Sequence, residues 1–287
     1  MPKLTTKKNK MLGHLSRTGA VKQVYRQLRS KSIPSTDKSD GTIPIAASDT
    51  HDTTNKDIKA IINKLTNLYS QNANEKNAIA QKKYMRNQFE FFGLMSPERK
   101  QIDKEVLQCS PKLSLKDTRE LLLSLWQQDQ REFQQFALTY ATKYKERLCG
   151  ETINDCLESL ECIKKLITTK SWWDTIDMLC PKVVGHFILK HRAELSPVMD
   201  EWIMSDNMWL RRCAIYHQLY YKENTNQDQL FRYCKACAHE KDFFIRKVIG
   251  WSLRSYFRTD PDAVKTFVKD NEIILSTLSK REALKHA

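Results

Sequence analysis

The strongest constraint on this chain is a recurring pair of amphipathic helices. From about Asp57 onward, Ile58, Ile61, Ile62, Leu65, Leu68 and Tyr69 follow the 3.6-residue period, and comparable apolar stripes recur as far as Leu284. No long stretch alternates apolar with polar residues as a half-buried strand would. Helical segments of roughly 10–16 residues alternate with short polar connections, and pairs of them return about every 35–40 residues. A single pair of that size cannot bury its apolar face, so each pair must stack on the next.

This pattern predicts an all-α fold, a curved superhelical solenoid of HEAT-like helical repeats. One face of such a curve is a cradle for an extended partner. Seven glycines, eight prolines and 40% apolar residues argue against an all-β or collagenous chain. No apolar run approaches the ~18 residues that a membrane span needs. The charged beginning of the chain lacks the apolar centre of a secretory signal. Eight cysteines sit mostly within apolar helical patterns, where reduced, partly buried thiols are expected. A net charge of +14 points to a polyanionic partner without saying which one.

Residues 1–55 read as a basic, disordered arm and linker, and residues 56–287 as the repeat domain. Up to Thr36 the arm has no acidic residue, and from Ser32 it turns rich in Ser, Thr and Asp. An arm of this type tracks phosphates, serves as a nuclear address (Lys7-Lys8-Asn9-Lys10), or acts as a mitochondrial presequence. Nucleus or cytoplasm is the expected location, with the presequence reading left open.

Three stretches carry candidate chemistry. In TTKSWWDTID, Ser171 is expected to cap a helix with Asp174 at its third position. Trp172, Ile176 and Leu179 then form a core stripe, and Pro181 ends or kinks the helix. Trp173 and Asp177, four residues apart, share the neighbouring face, and a carboxylate at that end of a helix calls for a cation. In FFIRKVIGWSLRSYFR, Ile245, Ile249, Leu253 and Tyr256 face the core. Lys247, Trp251, Arg254 and Arg258 line another face, where three cations in line match a run of phosphates. In SDNMWLRRCAIYHQLYY, one of Arg211 and Arg212 must leave the apolar core, toward a phosphate or toward Asp177. The blander reading of each stretch is a solvated charged face beside a partly covered tryptophan. Cys234, Cys237 and His239 make half a zinc pattern with no matching second half. Glycine-rich phosphate loops and serine-hydrolase or zinc-protease motifs are missing.

Taken together, YMRNQFEFFGL, TTKSWWDTID, SDNMWLRRCAI, KDFFIRKVIGWSLRSY with RTDPDAV, and LSKREALKH resemble the alkylpurine DNA glycosylases of the bacterial AlkD type. The resemblance runs in order from about Tyr84 to the C-terminus. It implies a catalytic group of Trp173, Asp177, Arg212 and Trp251, with Tyr84 and Arg254 lining the same DNA cleft. Lys247 and Arg258 would extend the positive track. The implied activity is excision of N3- or N7-alkylated purines, such as 7-methylguanine and 3-methyladenine, from duplex DNA in base excision repair. A carboxylate would stabilise an oxocarbenium-like sugar, and the base would be reached from an open surface. A monomer needing no metal or other cofactor is expected. The competing reading is a non-catalytic helical-repeat scaffold for nucleic acid or protein. A repeat protein reading RNA is weaker still, because no per-repeat base code is visible.

Overall fold

The computed structural model describes residues 49–287, with side chains described from Lys56 onward. The basic arm with Lys7-Lys8-Asn9-Lys10 lies outside the described residues. Among the described residues the chain is all helical, apart from one isolated bridge between Glu90 and Gln130. No described helix is long and apolar enough to cross a membrane.

Three helices open the stack: α1 (Asp49–Gln71), α2 (Glu75–Tyr84) and α3 (Ser96–Cys109). Five pairs follow. They are α4 (Leu115–Gln127) with α5 (Arg131–Lys143), and α7 (Ile153–Thr168) with α8 (Trp173–Leu179), preceded by the short α6 (Lys145–Cys149). Next come α10 (Arg192–Trp202) with α11 (Met208–Tyr216), the short α9 (Gly185–Lys190) lying before them. The last two are α12 (Gln227–Ala236) with α13 (Phe243–Phe257), and α14 (Pro261–Asp270) with α15 (Thr277–Ala283). The second helices α5, α8, α11, α13 and α15 pack in succession and form one layer of the HEAT-like stack.

Local chemistry sets many of these boundaries. Ser114, Thr152, Asn207, Asn226, Asp242, Asp260 and Ser276 each accept a backbone N–H at the start of the helix they precede. A cap of this kind contributes about 1 kcal/mol. The predicted stripe of α1 holds: Ile58, Ile61, Leu65 and Tyr69 are buried, with Ile62 and Leu68 packed against them. Cys109 is exposed and the other seven cysteines are buried as free thiols.

The repeat period reappears in polar contacts between neighbouring pairs. Tyr69 Oη donates to Asp103 at 2.6 Å, 34 residues away. Tyr221 Oη donates to the Gly185 carbonyl at 2.6 Å across 36 residues, and Ser252 Oγ to Ile215 O at 3.1 Å across 37. Gly185 is required at that contact, since a Cβ there would come within 2.3 Å of the His217 carbonyl oxygen.

Two expectations around the paired tryptophans need correction, and a third is narrowed. Ser171 does not cap α8, because its hydroxyl donates back to Ile167 O at 2.6 Å and so closes the preceding helix. Lys170 then takes a positive φ of 46°, and Trp172 is extended (φ −158°, ψ 163°), so the helix starts only at Trp173. Trp172 therefore lies off the helix stripe. It is half-buried against Trp209 and Phe244, at ring separations of 6.1 and 5.5 Å, rather than in the core. Of the two outcomes expected at Pro181, an end or a kink, the helix does not end there. Cys180–Val184 widen into a π turn, with Gly185 N–H reaching back to Cys180 O, and α8 runs on into α9. The ring removes one donor, and the wider turn absorbs the misfit.

Candidate active site

The site is organised from α5 upward. Arg131 at the start of α5 is fully buried. Its Nε and Nη2 donate to the two carboxylate oxygens of Asp174 at 3.0 and 2.7 Å, and Nη1 donates to Lys170 O at 2.9 Å. Asp174 thus serves as Arg131's counter-charge and has no part in a capping box with Ser171. The same guanidinium lies 3.7 Å above the ring of Phe89, and the Arg131 backbone N–H donates to Glu90 O at 2.8 Å. Glu132 accepts the backbone N–H groups of Phe92, Gly93 and Leu94 at 3.1, 2.9 and 3.3 Å. Arg131 and Glu132 therefore tie the start of α8 to the loop that follows Tyr84.

That loop turns sharply through Arg86 and Asn87, at φ 55° and 57°. Left-handed backbone at two successive non-glycine residues is costly, and the anchored loop sustains it. Tyr84 is left 72% exposed at the end of α2. It meets Trp173 edge-on, with ring centroids 6.0 Å apart and planes at 85°.

One turn along α8, Asp177 faces Arg212 of α11. Arg212 Nε and Nη2 both donate to Asp177 Oδ1, at 3.0 and 2.6 Å, while Nη1 donates to the Phe244 carbonyl. Arg212 is 1% exposed, so of its two predicted uses the geometry selects the pairing with Asp177. It is too enclosed to clasp a phosphate. Arg211, its neighbour, points the other way and forms a two-bond pair with Glu240 at 2.8 and 2.7 Å. Oδ2 of Asp177 receives no hydrogen bond from the described residues. Burial pushes the Asp177 pKa above the ordinary carboxylate value, and the Arg212 charge pulls it partly back.

On α13, Trp251 is half-buried between cations: Arg212 Cζ lies 5.7 Å and Lys247 Nζ 5.4 Å from its ring centre. The expected row of three free cations is not what the structure contains. Lys247 Nζ donates to Glu282 Oε1 at 2.7 Å, while Arg254 Nη1 and Trp251 Nε1 donate to Oε2 at 2.8 and 3.0 Å. Arg258 alone of the three is exposed without an ion pair to a described carboxylate.

Glu282 was not among the residues singled out by motif. The Lys247 hydrogen bond, set against partial burial, holds its pKa below the ordinary value. A signal for it existed in the spacing. Asp177, Arg212, Lys247 and Glu282 follow one another at 35-residue intervals on α8, α11, α13 and α15, and the first two and last two are bonded. Gly250 makes the last contact possible, since a Cβ there would meet Glu282 Cβ at 2.4 Å. Arg131 was also missed. Its partner Asp174 was assigned a local role that left no reason to look 43 residues upstream.

The stacked helix pairs, with paired carboxylates on their second-helix layer, define a HEAT-like helical-repeat protein. The chain belongs to the DNA alkylation repair enzyme family, whose model matches residues 65–287. A solved structure from Enterococcus faecalis, described as a predicted DNA alkylation repair enzyme, is 33% identical with a TM-score of 0.65. That match covers 75% of this chain and 96% of the other. AlkD2 from Streptococcus mutans is a more remote likeness, 20% identical with a TM-score of 0.49, covering 67% of this chain and 90% of that one. A search of curated proteins returns no match. Family membership supports a role in the repair of alkylated DNA.

Proposed function

We propose that this chain is a DNA glycosylase that removes N3- and N7-alkylated purines from duplex DNA. The observation that carries the reading is Asp177: a carboxylate fixed through one oxygen by a buried arginine, with its other oxygen free of donors among the described residues. Alkylation at N3 or N7 makes the purine cationic and weakens its glycosidic bond, so the leaving group needs little protonation. What remains is to stabilise positive charge on the sugar and to orient a water toward C1′, and a fixed carboxylate does both.

The aromatic residues divide the remaining work. Trp173 and exposed Tyr84 offer ring faces on which a cationic base can pack. Trp251 already faces Arg212 and Lys247, so it suits the apolar face of a deoxyribose better than a base that is cationic from the start. Arg258 is ready for a phosphate, whereas Lys247 and Arg254 hold Glu282 in the place of one. The reading is tested with duplex DNA carrying a single N7-methylguanine, incubated with the purified chain and scored for abasic sites. A non-catalytic scaffold binds this DNA and leaves no abasic site.

Two further results follow from the charges. Alanine at Arg258 weakens DNA binding and lowers the slope of log affinity against log salt by about one, for its one lost phosphate contact. Glu282→Gln, which keeps an acceptor for Trp251 but frees Lys247 and Arg254, tightens binding and steepens that slope. Slopes unchanged in both variants, measured by fluorescence anisotropy, remove these residues from the DNA contact.

The pH profile is also fixed by Asp177. The ionised form is the active one, so kcat/KM falls as pH drops through its pKa. Because burial raises that pKa, the acid limb lies above the ordinary carboxylate value. A profile flat down to the range of an unperturbed aspartate contradicts the role given to Asp177.

A further inference from the structure

Away from the cleft, Cys149 at the end of α6, Cys156 in the first turn of α7 and His191 just before α10 converge. One ligand atom from each lies within 4.8 Å of the others. The two sulfurs are 3.1 Å apart, and both cysteines are fully buried. His191 Nε2 is buried and has no hydrogen-bond partner among the described residues. An enclosed imidazole nitrogen without a partner is costly, and two thiols alone would not require an imidazole beside them. None of these residues takes part in the proposed chemistry at Asp177.

The turn between the cysteines is rigid by local sequence. Gly150 has φ 74°, and a Cβ there would come within 2.2 Å of the Asp155 Cβ. Thr152 and Asp155 form a reciprocal capping box at the start of α7. Lys190 Nζ donates to Gly150 O at 3.2 Å and ties this turn to the end of α9. The sulfurs are thereby held in place before any ligand arrives.

We propose that Cys149, Cys156 and His191 bind a zinc ion. Two thiolates and a neutral imidazole form a borderline-soft donor set that matches Zn2+ and offers no oxygen for calcium or magnesium. Three protein ligands leave the fourth tetrahedral position to a water. Cys149 and Cys156 belong to the α6–α7 segment and His191 to the α9–α10 junction, so the ion bridges neighbouring repeats. His191 follows the helical run that begins with Trp173 and Asp177, about 27 Å from the first and about 21 Å from the second along its axis at 1.5 Å per residue. Zinc would therefore fix the far end of the helix that presents the site.

The test is metal uptake by the intact, reduced chain, stripped with chelator and then titrated with Zn2+ or Co2+. One equivalent should bind, and Co2+ should give a thiolate-to-metal charge-transfer band with visible bands of tetrahedral intensity. At a hundredfold excess over Kd, Zn2+ should raise Tm by about 5–10 °C. Cys149→Ser, Cys156→Ser and His191→Asn should each weaken binding at least ~100-fold, while exposed Cys109→Ser should not. Circular dichroism of the zinc-free variants separates lost ligation from lost folding. No uptake by the wild-type chain overturns the assignment, as does uptake unaffected by all three variants. Oxidation to a Cys149–Cys156 disulfide by diamide with no zinc uptake overturns it as well.

Discussion

Asp177→Asn is expected to slow release of 7-methylguanine by about 100- to 1,000-fold, the usual cost of deleting one preorganised electrostatic contact in a transition state. The substitution keeps size and leaves Oδ1 as an acceptor for Arg212, but removes the charge that opposes the oxocarbenium-like sugar. Stability changes less. An ion pair becomes a bond from the Arg212 cation to a neutral acceptor, at about 1–2 kcal/mol. That lowers Tm by only a few degrees in a chain of this size. Single-turnover excision at 25 °C, with DNA affinity measured in parallel, separates the two effects. Wild-type excision by the asparagine variant would falsify the assignment of Asp177. Loss of binding in step with activity would mean that the residue acts on substrate affinity. Asp177→Ala is a poorer probe, because it also leaves the buried Arg212 guanidinium without an acceptor.

The second large effect lies away from the reacting atoms. Arg131→Ala is expected to cost about 3–5 kcal/mol, because it strands a half-buried carboxylate whose partner is gone. In thermal unfolding this corresponds to a Tm lower by about 10 °C. Activity should fall as well in the fraction that stays folded. The Arg131 side chain holds Asp174 and Lys170 on one side and Phe89 on the other, so its loss frees α8 from the Tyr84 loop even though the backbone bond to Glu90 survives. Excision measured well below the new Tm reads this positional effect, and an unchanged Tm shows that Arg131 is not the tie between them.

The sequence predicts the fold well because helical period and repeat period are independent signals that agree. Ile58, Ile61, Leu65 and Tyr69 needed only the 3.6-residue spacing, and every later pair repeats the argument. The active face was legible in part. The i, i+4 relation of Trp173 and Asp177 is a local fact, and Arg212 was one of two adjacent candidates that only packing could tell apart. Two of the failures share a cause. Asp174 and Lys247 take their roles from their own helix when read alone, whereas their partners lie elsewhere: Arg131 in the preceding repeat and Glu282 in the following one. The Ser171 failure is local, since its hydroxyl turns back to Ile167 O four residues earlier. In a stacked array, polar side chains are satisfied between repeats, so a motif read within one helix overlooks the groups that neutralise it.

The π turn at Cys180–Val184 has a consequence for how such a site can vary. The wide turn holds one residue more than a regular helix would use over the same rise. Deleting that residue would close the turn into unbroken α-helix and leave the flanks in nearly the same phase, because the wide turn already absorbs it. Deleting a residue of regular helix between Asp177 and the turn would instead rotate the two sides by about 100°, and Trp173 and Asp177 would swing off the face shared with Arg212. The wide turn is thus the one stretch of this helix where its length can change while the aspartate stays aimed.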